Sequence, residues 1–287
     1  MSDPAKEPTW TVYRPLADVL PRKLLDQFTA IPPVSVARSR SYYDSHNDTI
    51  VSALGATYQA GLIGKSPDAT QTLLNLVKAC GVKAGETVLD MGCGTGGPAI
   101  ALAQAVDGVE VIGLTISSQQ AESTKQHVVS TGGSPRVTIL MADYHNCPIA
   151  DESVDRIVFF ESLGYAVDIA SVLREAYRCL RKGGEVYIKD VVRKPDSLST
   201  AEILELAEFD RLYAQRTPSP EEIAKGLVRA GFTELKFEPL SKVMNVTGFF
   251  AAMFDHRSED GLSEFGRHHY RAFRQLPVTF AHFSARK

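Results

Sequence analysis

Between residues 86 and 191 the apolar positions fall in short, nearly unbroken runs separated by amphipathic stretches. The runs at 86–91, 109–114, 136–141, 154–159 and 184–191 are rich in Val and Ile with little polar alternation. That pattern predicts strands of a sheet buried on both faces. The stretches at 97–106, 117–131 and 168–181 predict helices, so strand and helix alternate as in a doubly wound α/β core. Arg181-Lys182 followed by Gly183-Gly184 predicts the end of the last helix, with cations in its final turn and glycine after it.

Outside this core the pattern changes. Residues 1–14 predict a flexible N-terminus with Trp10 and Tyr13 as anchors, and 15–81 predict helices broken at Pro21 and Pro32-Pro33. Ser66-Pro67-Asp68 is a helix start, a capping side chain with proline at the first helical position. That helix is expected to reach about Cys80, with Gly81 as its stop. Residues 195–231 predict inserted helices, since Ser199-Thr200-Ala201-Glu202 and Ser219-Pro220-Glu221-Glu222 both have the capping-box form. Phe232 to Pro239 and Pro277 to Ala285 predict an antiparallel strand pair, with a helical stretch at 247–275 between them. The expected organisation is therefore a flexible segment (1–14), N-terminal cap helices (15–81), a ligand-binding core (82–194), inserted cap helices (195–231) and terminal strands with a helical insertion (232–287).

At 287 residues the chain can bury a full core. Charged residues make up 23% and the net charge is −3, which gives no bulk attraction to nucleic acid or to an anionic membrane. No run of 18 apolar residues is present and the first eight residues are polar, so neither a membrane span nor a signal peptide is expected. Cys80, Cys93, Cys147 and Cys179 form no C-x-x-C pair; this argues against a zinc site or a disulfide frame and fits a reducing cytoplasm. No Asp-Asp-x-x-Asp cluster offers a magnesium site, and no metal is expected.

The richest stretch is Val88-Leu89-Asp90-Met91-Gly92-Cys93-Gly94-Thr95-Gly96-Gly97. Glycines there let the backbone pass beneath a ligand, and the helix that follows points its free N–H groups at it. An acid just before the turn argues for a ligand with positive charge or hydroxyls. The stretch also satisfies G-x-G-x-x-G, which alone is weak evidence for a dinucleotide. A nicotinamide site expects an acid closing the second strand. Here Val109-Glu110-Val111-Ile112-Gly113-Leu114 carries Glu110 at the wrong end. A glycine turn with no ligand is the third reading.

These residues resemble the first motif of the class I S-adenosylmethionine-dependent methyltransferases, and four motifs, this one included, stand in that family's order over roughly 82–191. The resemblance implies a seven-stranded, Rossmann-like sheet with a helical cap over the substrate site, and S-adenosylmethionine as cofactor. Asp90, Gly92 and Gly94 would line the methionine end. Thr115-Ile116-Ser117-Ser118-Gln119-Gln120 departs from the acid often found after strand two. It looks instead like a pattern shared by cyclopropane fatty acid synthases, tocopherol and sterol methyltransferases and terpene C-methyltransferases. Thr115 and Gln120 would then contact ribose, Ile116 the adenine face and Asp143 the adenine amino group, with Tyr144 and Phe160 completing the cofactor set. Asp143 as a helix cap and Gln120 as a solvated helix residue remain the structural alternatives.

Phe160-Glu161-Ser162-Leu163-Gly164-Tyr165 ends the fourth strand and puts Glu161 at the carboxyl edge of the sheet, either as a general base or as a structural acid. Methylation of an alkene leaves a carbocation, which needs aromatic faces and one carboxylate as base. Tyr42, Tyr43, Tyr165, Phe250, Phe254 and Tyr270 are the aromatic candidates and Arg40 a cation for an anionic head group; core packing and solvated charge are the alternatives. The expected function is S-adenosylmethionine-dependent methylation of a small, largely apolar metabolite, with C-methylation of an isoprenoid alkene such as a prenyl diphosphate favoured. N- or O-methylation of a specialised metabolite is the alternative. A dehydrogenase and a cofactor-binding protein or cyclase that transfers no methyl group are the competing classes. Neither nucleic acid nor membrane insertion is expected, and a homodimer is expected because apolar caps of this kind often pair.

Overall fold

The computed structural model describes residues 34–54, 69–131, 136–194, 197–240 and 275–287. Among the described residues, two helices, α1 (Val36–Leu54) and α2 (Ala69–Ala79), precede the first strand. Strands β1 (Thr87–Met91), β2 (Glu110–Thr115), β3 (Val137–Met141), β4 (Val154–Phe160), β5 (Leu180–Arg193), β6 (Thr233–Pro239) and β7 (Val278–Arg286) form one sheet in the order β3-β2-β1-β4-β5-β7-β6. The first five are parallel, and β7 runs antiparallel between β5 and β6. Helices α3 (Gly97–Ala105), α4 (Ser118–Ser130), α5 (Ile169–Cys179), α6 (Thr200–Leu212) and α7 (Pro220–Ala230) connect them. This is the seven-stranded α/β sheet that the sequence pattern predicts.

Two apolar layers cover the central strands. Leu76, Ala99 and Leu102 pack against Val88, Val111 and Val158 on one face. Val172, Leu173, Ile223 and Leu227 pack against Leu89, Ile157 and Ile188 on the other. Both faces of β1, β4 and β5 are therefore dry, as their continuous apolar runs require. The outer strands differ: β3 and β6 are partly or largely exposed along their length, because each pairs on one side only.

Several local expectations change. Helix α5 ends at Cys179, and Leu180 is already paired with Val154 across the sheet. Gly183, at φ 79°, turns the chain inside the β5 segment and caps no helix. Ser199 makes the full reciprocal capping box with Glu202. Ser219 makes only half of one: its side chain accepts from Glu222 N–H, while the Glu222 carboxylate is drawn to Arg216. Helix α7 packs on α5 and the sheet, and so is a layer of the core and not part of a cap over the cleft. The helix start at 66–68 and the stretches 1–33 and 247–274 lie outside the described residues. No helix among the described residues is long and apolar enough to cross a membrane.

Candidate functional site

Strand β1 has β2 on one side and β4 on the other, so the winding reverses there. Ligands of open α/β sheets sit at the carboxyl ends of the strands at such a point. A cleft opens at that place, walled by the turns after β1, β2, β3 and β4 and roofed by α1. Gly92, Gly94, Thr115, Ile116, Gln120, Asp143, Tyr144, Glu161, Tyr43 and Tyr165 all line it. The chain brings these together from five separate segments.

The floor is the turn after β1. Gly92 has φ 101°, and a Cβ there would lie 2.4 Å from the Cβ of Ser162. Ser162 can sit so close because its hydroxyl donates to the Met91 carbonyl at 2.6 Å. Gly94, at φ 56°, is different: a Cβ there meets only Gln120 Nε2, at 3.8 Å, and otherwise opens into the cleft. Gly92 thus permits packing between strand ends, whereas Gly94 leaves room for a ligand.

Asp90 stands beneath this turn, fully buried, and neither carboxylate oxygen has a hydrogen-bond partner among the described residues. Burial alone pushes its pKa up to about 7. A buried acid with both oxygens unsatisfied is costly unless a donor completes it. The observation fits a cationic or hydroxyl-bearing ligand, and S-adenosylmethionine carries both an ammonium and ribose hydroxyls.

The wall after β2 is organised by side chains bonding to one another. Thr115 donates its hydroxyl to Gln120 Oε1 at 2.9 Å, both buried. Ser117 caps α4 by accepting from Gln120 N–H at 3.1 Å, and donates to Asp44 of α1 at 2.6 Å. Arg40 donates from Nε to the Ile116 carbonyl at 3.1 Å, and Asn47 donates to Ser123 at 2.8 Å. Arg40, Asp44 and Asn47 share one helical face by their spacing. That face docks α1 onto the segment expected to hold ribose and adenine. Arg40 is used here, not in the cleft. Glu110 lies exposed at the start of β2, away from the site.

After β3, Asp143 caps the following turn by accepting from His145 N–H at 2.9 Å, and its Oδ1 also meets His145 Nδ1 at 2.6 Å. Val167 N–H donates to the other ring nitrogen at 3.0 Å, which assigns the proton to Nδ1. No bond among the described residues falls on Asp143 Oδ2. Tyr144 is buried and donates its hydroxyl to the Ser162 carbonyl at 3.0 Å, joining the turns after β3 and β4.

Glu161 follows β4 with φ 58°, a left-handed conformation that a non-glycine residue keeps only when its surroundings hold it. Its amide donates to the Lys189 carbonyl at 2.7 Å, and its carboxylate pairs with the Lys189 ammonium. Lys189 is wholly buried, while the Glu161 side chain is 18% exposed, so the negative end of the pair faces the cleft. Asp190 is also buried; burial first, then Glu161, pushes its pKa up to about 7, and Leu163 N–H donates to it at 2.8 Å. The rings of Tyr43 and Tyr165 meet edge to face at 5.3 Å. Burial raises both phenols above their ordinary pKa, so both remain protonated.

Besides Arg40, and Asp90 which lies buried beneath the cleft and does not line it, two more expected site residues lie elsewhere. Phe160 is buried in the core with Val88, Ala99 and Tyr187, because it precedes the bend at Glu161. Tyr42 packs edge-on against Tyr43 and faces a second, open groove beside Arg38 and Arg211. Phe250, Phe254 and Tyr270 lie outside the described residues. Ser162, Lys189, His145 and Asp44 joined the site without being anticipated. Lys189-Asp190 had a signal: two adjacent charges in the middle of an apolar strand.

A family profile described as a methyltransferase domain matches residues 89–188. The 27-O-demethylrifamycin SV methyltransferase of Amycolatopsis mediterranei (strain S699) is 32% identical over 214 residues, covering 71% of this chain and 73% of that protein. The methyltransferase GfsG of Streptomyces halstedii is 42% identical over 122 residues; that match covers 42% of this chain and 44% of GfsG, so it spans less than half of that relative. Among solved structures, mycolic acid cyclopropane synthase CmaA1 complexed with S-adenosylhomocysteine and CTAB superposes with a TM-score of 0.74. It is 18% identical, covering 89% of this chain and 99% of that one, a likeness of fold.

Proposed function

We propose that this chain, a member of the S-adenosylmethionine-dependent methyltransferases, acts on a small, largely apolar metabolite and methylates it at an alkene carbon, an isoprenoid foremost. S-adenosylmethionine, when bound, supplies an electrophilic methyl group. The residues suited to hold it are Asp90 and the open side of Gly94 at one end, and Thr115, Ile116, Gln120 and Asp143 at the other. What remains for this chain is to orient the acceptor, exclude water and remove one proton.

The observation that carries the reading is the carboxylate of Glu161, charge-paired from behind by Lys189 and lying in the same cleft as the rings of Tyr43 and Tyr165. Methylation of an alkene creates a cation, which aromatic faces and a fixed negative charge stabilise. The proton beside such a cation is far more acidic than a carboxylic acid, so Glu161 suffices to remove it. An aliphatic hydroxyl is the opposite case: its pKa, near 15.7 as in water, lies about 11 units above a glutamate, a deficit of about 15 kcal/mol.

A second reading is O-methylation of a specialised metabolite, supported by the rifamycin methyltransferase that this chain matches over 73% of its length. By the same arithmetic the accepting hydroxyl would be an acidic one, such as a phenol. The two readings separate on Glu161→Gln, assayed with labelled cofactor against prenyl diphosphates and phenols. On the alkene reading the variant binds cofactor as wild type does and loses turnover by about 10²-fold or more. Full turnover in that variant would overturn the base assignment.

A further inference from the structure

Lys189 and Asp190 stand side by side in β5 between Ile188 and Val191, and both are buried. An ammonium in such a place is expelled or neutralised unless something pairs with it. Here the partner is the Glu161 carboxylate; the ring of Phe280 lies 4.9 Å from the Lys189 nitrogen, and Asp190 adds negative charge nearby. His282, directly across on β7, brings no opposing charge at neutral pH, since burial and then Lys189 push its pKa down to about 4. The backbone repeats the connection, for the Glu161 amide donates to the Lys189 carbonyl. One residue thus holds Glu161 twice, at a φ that glutamate rarely adopts.

We propose that Lys189 is the positioning residue of the reaction: its carbonyl and its ammonium together fix the Glu161 carboxylate at the cleft wall, charged and aimed at the acceptor. This rests on the role given to Glu161 above. The two tyrosines facing that carboxylate, Tyr43 from α1 and Tyr165 from the turn after β4, are neutral phenols and cannot take over the task. Without the ammonium, the negative charge of Glu161 would be left only with repulsion from Asp190, and like charge would favour its protonated form.

The test uses the full chain with Lys189→Met, Lys189→Arg, Glu161→Gln and the double variant Glu161→Gln/Lys189→Met. Isotope-edited infrared titration follows the Glu161 carboxyl as the band missing in Glu161→Gln. In Lys189→Met that band should titrate at least about one pH unit higher than in wild type, and Lys189→Arg should hold it near the wild-type position. With an acceptor that turns over, the acid limb of the kcat–pH profile of Lys189→Met should move up by the same amount as the band. That is at least about one pH unit, and so about tenfold in kcat on that limb, with recovery as pH rises and KM little changed. An unshifted band in a Lys189→Met protein that still binds S-adenosylmethionine overturns the proposal. A shifted band with full turnover in Glu161→Gln supports the pairing and refutes only the role of Glu161. If Lys189→Met unfolds while the double variant folds, the unpaired carboxylate is the fault and the pairing is supported. If both unfold, Lys189 is a structural element of the sheet and the proposal falls.

Discussion

Replacing Gly92 by alanine separates the two demands that the turn after β1 makes on its residues. At φ 101° an L side chain is strained, by about 1–2 kcal/mol. The new methyl would also lie 2.4 Å from Ser162 Cβ, inside any real contact distance. Relieving that overlap in a packed site costs about 1–3 kcal/mol. The sum predicts a loss of about 2–5 kcal/mol in stability. Ser162→Gly removes the atom that clashes but also the hydroxyl bonded to the Met91 carbonyl, about 1 kcal/mol on its own. The double variant should therefore be more stable than the two single losses predict, by roughly the overlap term of 1–3 kcal/mol. Gly94→Ala is the control. Its strain is similar, but its methyl enters the cleft, so it should weaken S-adenosylmethionine binding more than it weakens the fold. Urea unfolding followed by circular dichroism gives the stabilities, and calorimetric titration gives the affinities. Strict additivity of Gly92→Ala and Ser162→Gly would refute the packing argument.

Two further predictions concern buried acid and the α1 roof. Asp90 binds its proton more tightly folded than unfolded, so the ligand-free protein loses stability as pH rises from about 4 through about 7, the loss being complete above that pH. Three pKa units correspond to about 4 kcal/mol, of which about 3 kcal/mol falls between pH 5 and pH 8. Asp90→Asn should flatten the stability profile by that amount, and parallel profiles for the two proteins would contradict the burial argument. Ser117→Ala removes both the α4 cap and the bond to Asp44, and should cost about 1–2 kcal/mol. Because α1 docks on the same segment, the variant should also bind cofactor more weakly; unchanged affinity would mean that the roof and the cofactor wall are not coupled.

The parts of the site that were legible in the sequence are those fixed by local chain geometry. Asp90-Met91-Gly92-Cys93-Gly94 is readable because a strand, an acid and a glycine turn are contiguous, and the cleft-forming reversal follows from the strand order. Thr115 and Gln120 were legible for the same reason, five residues apart across a strand-to-helix turn. Phe160 was misplaced because alternation along β4 fixes its face, and the bend that redirects the chain begins one residue later, at Glu161. The α5 terminus was misread because cations followed by glycine also suit a strand-entry turn, and the pairing of Leu180 with Val154 decided between them. The roles of Arg40, Asp44 and Lys189 depend on partners 28 to 76 residues away, which no local pattern encodes.

The most direct measurement locates the transferred methyl group. The protein would be incubated with S-adenosylmethionine labelled with carbon-13 in its methyl group and with a prenyl diphosphate, and the product examined by carbon NMR. The site chemistry argued from Glu161, Tyr43 and Tyr165 predicts a new labelled methyl bonded to an sp² carbon of a retained alkene, absent with Glu161→Gln. No labelled product from the prenyl diphosphate, together with a labelled methyl ether from a hydroxylated acceptor, would contradict it.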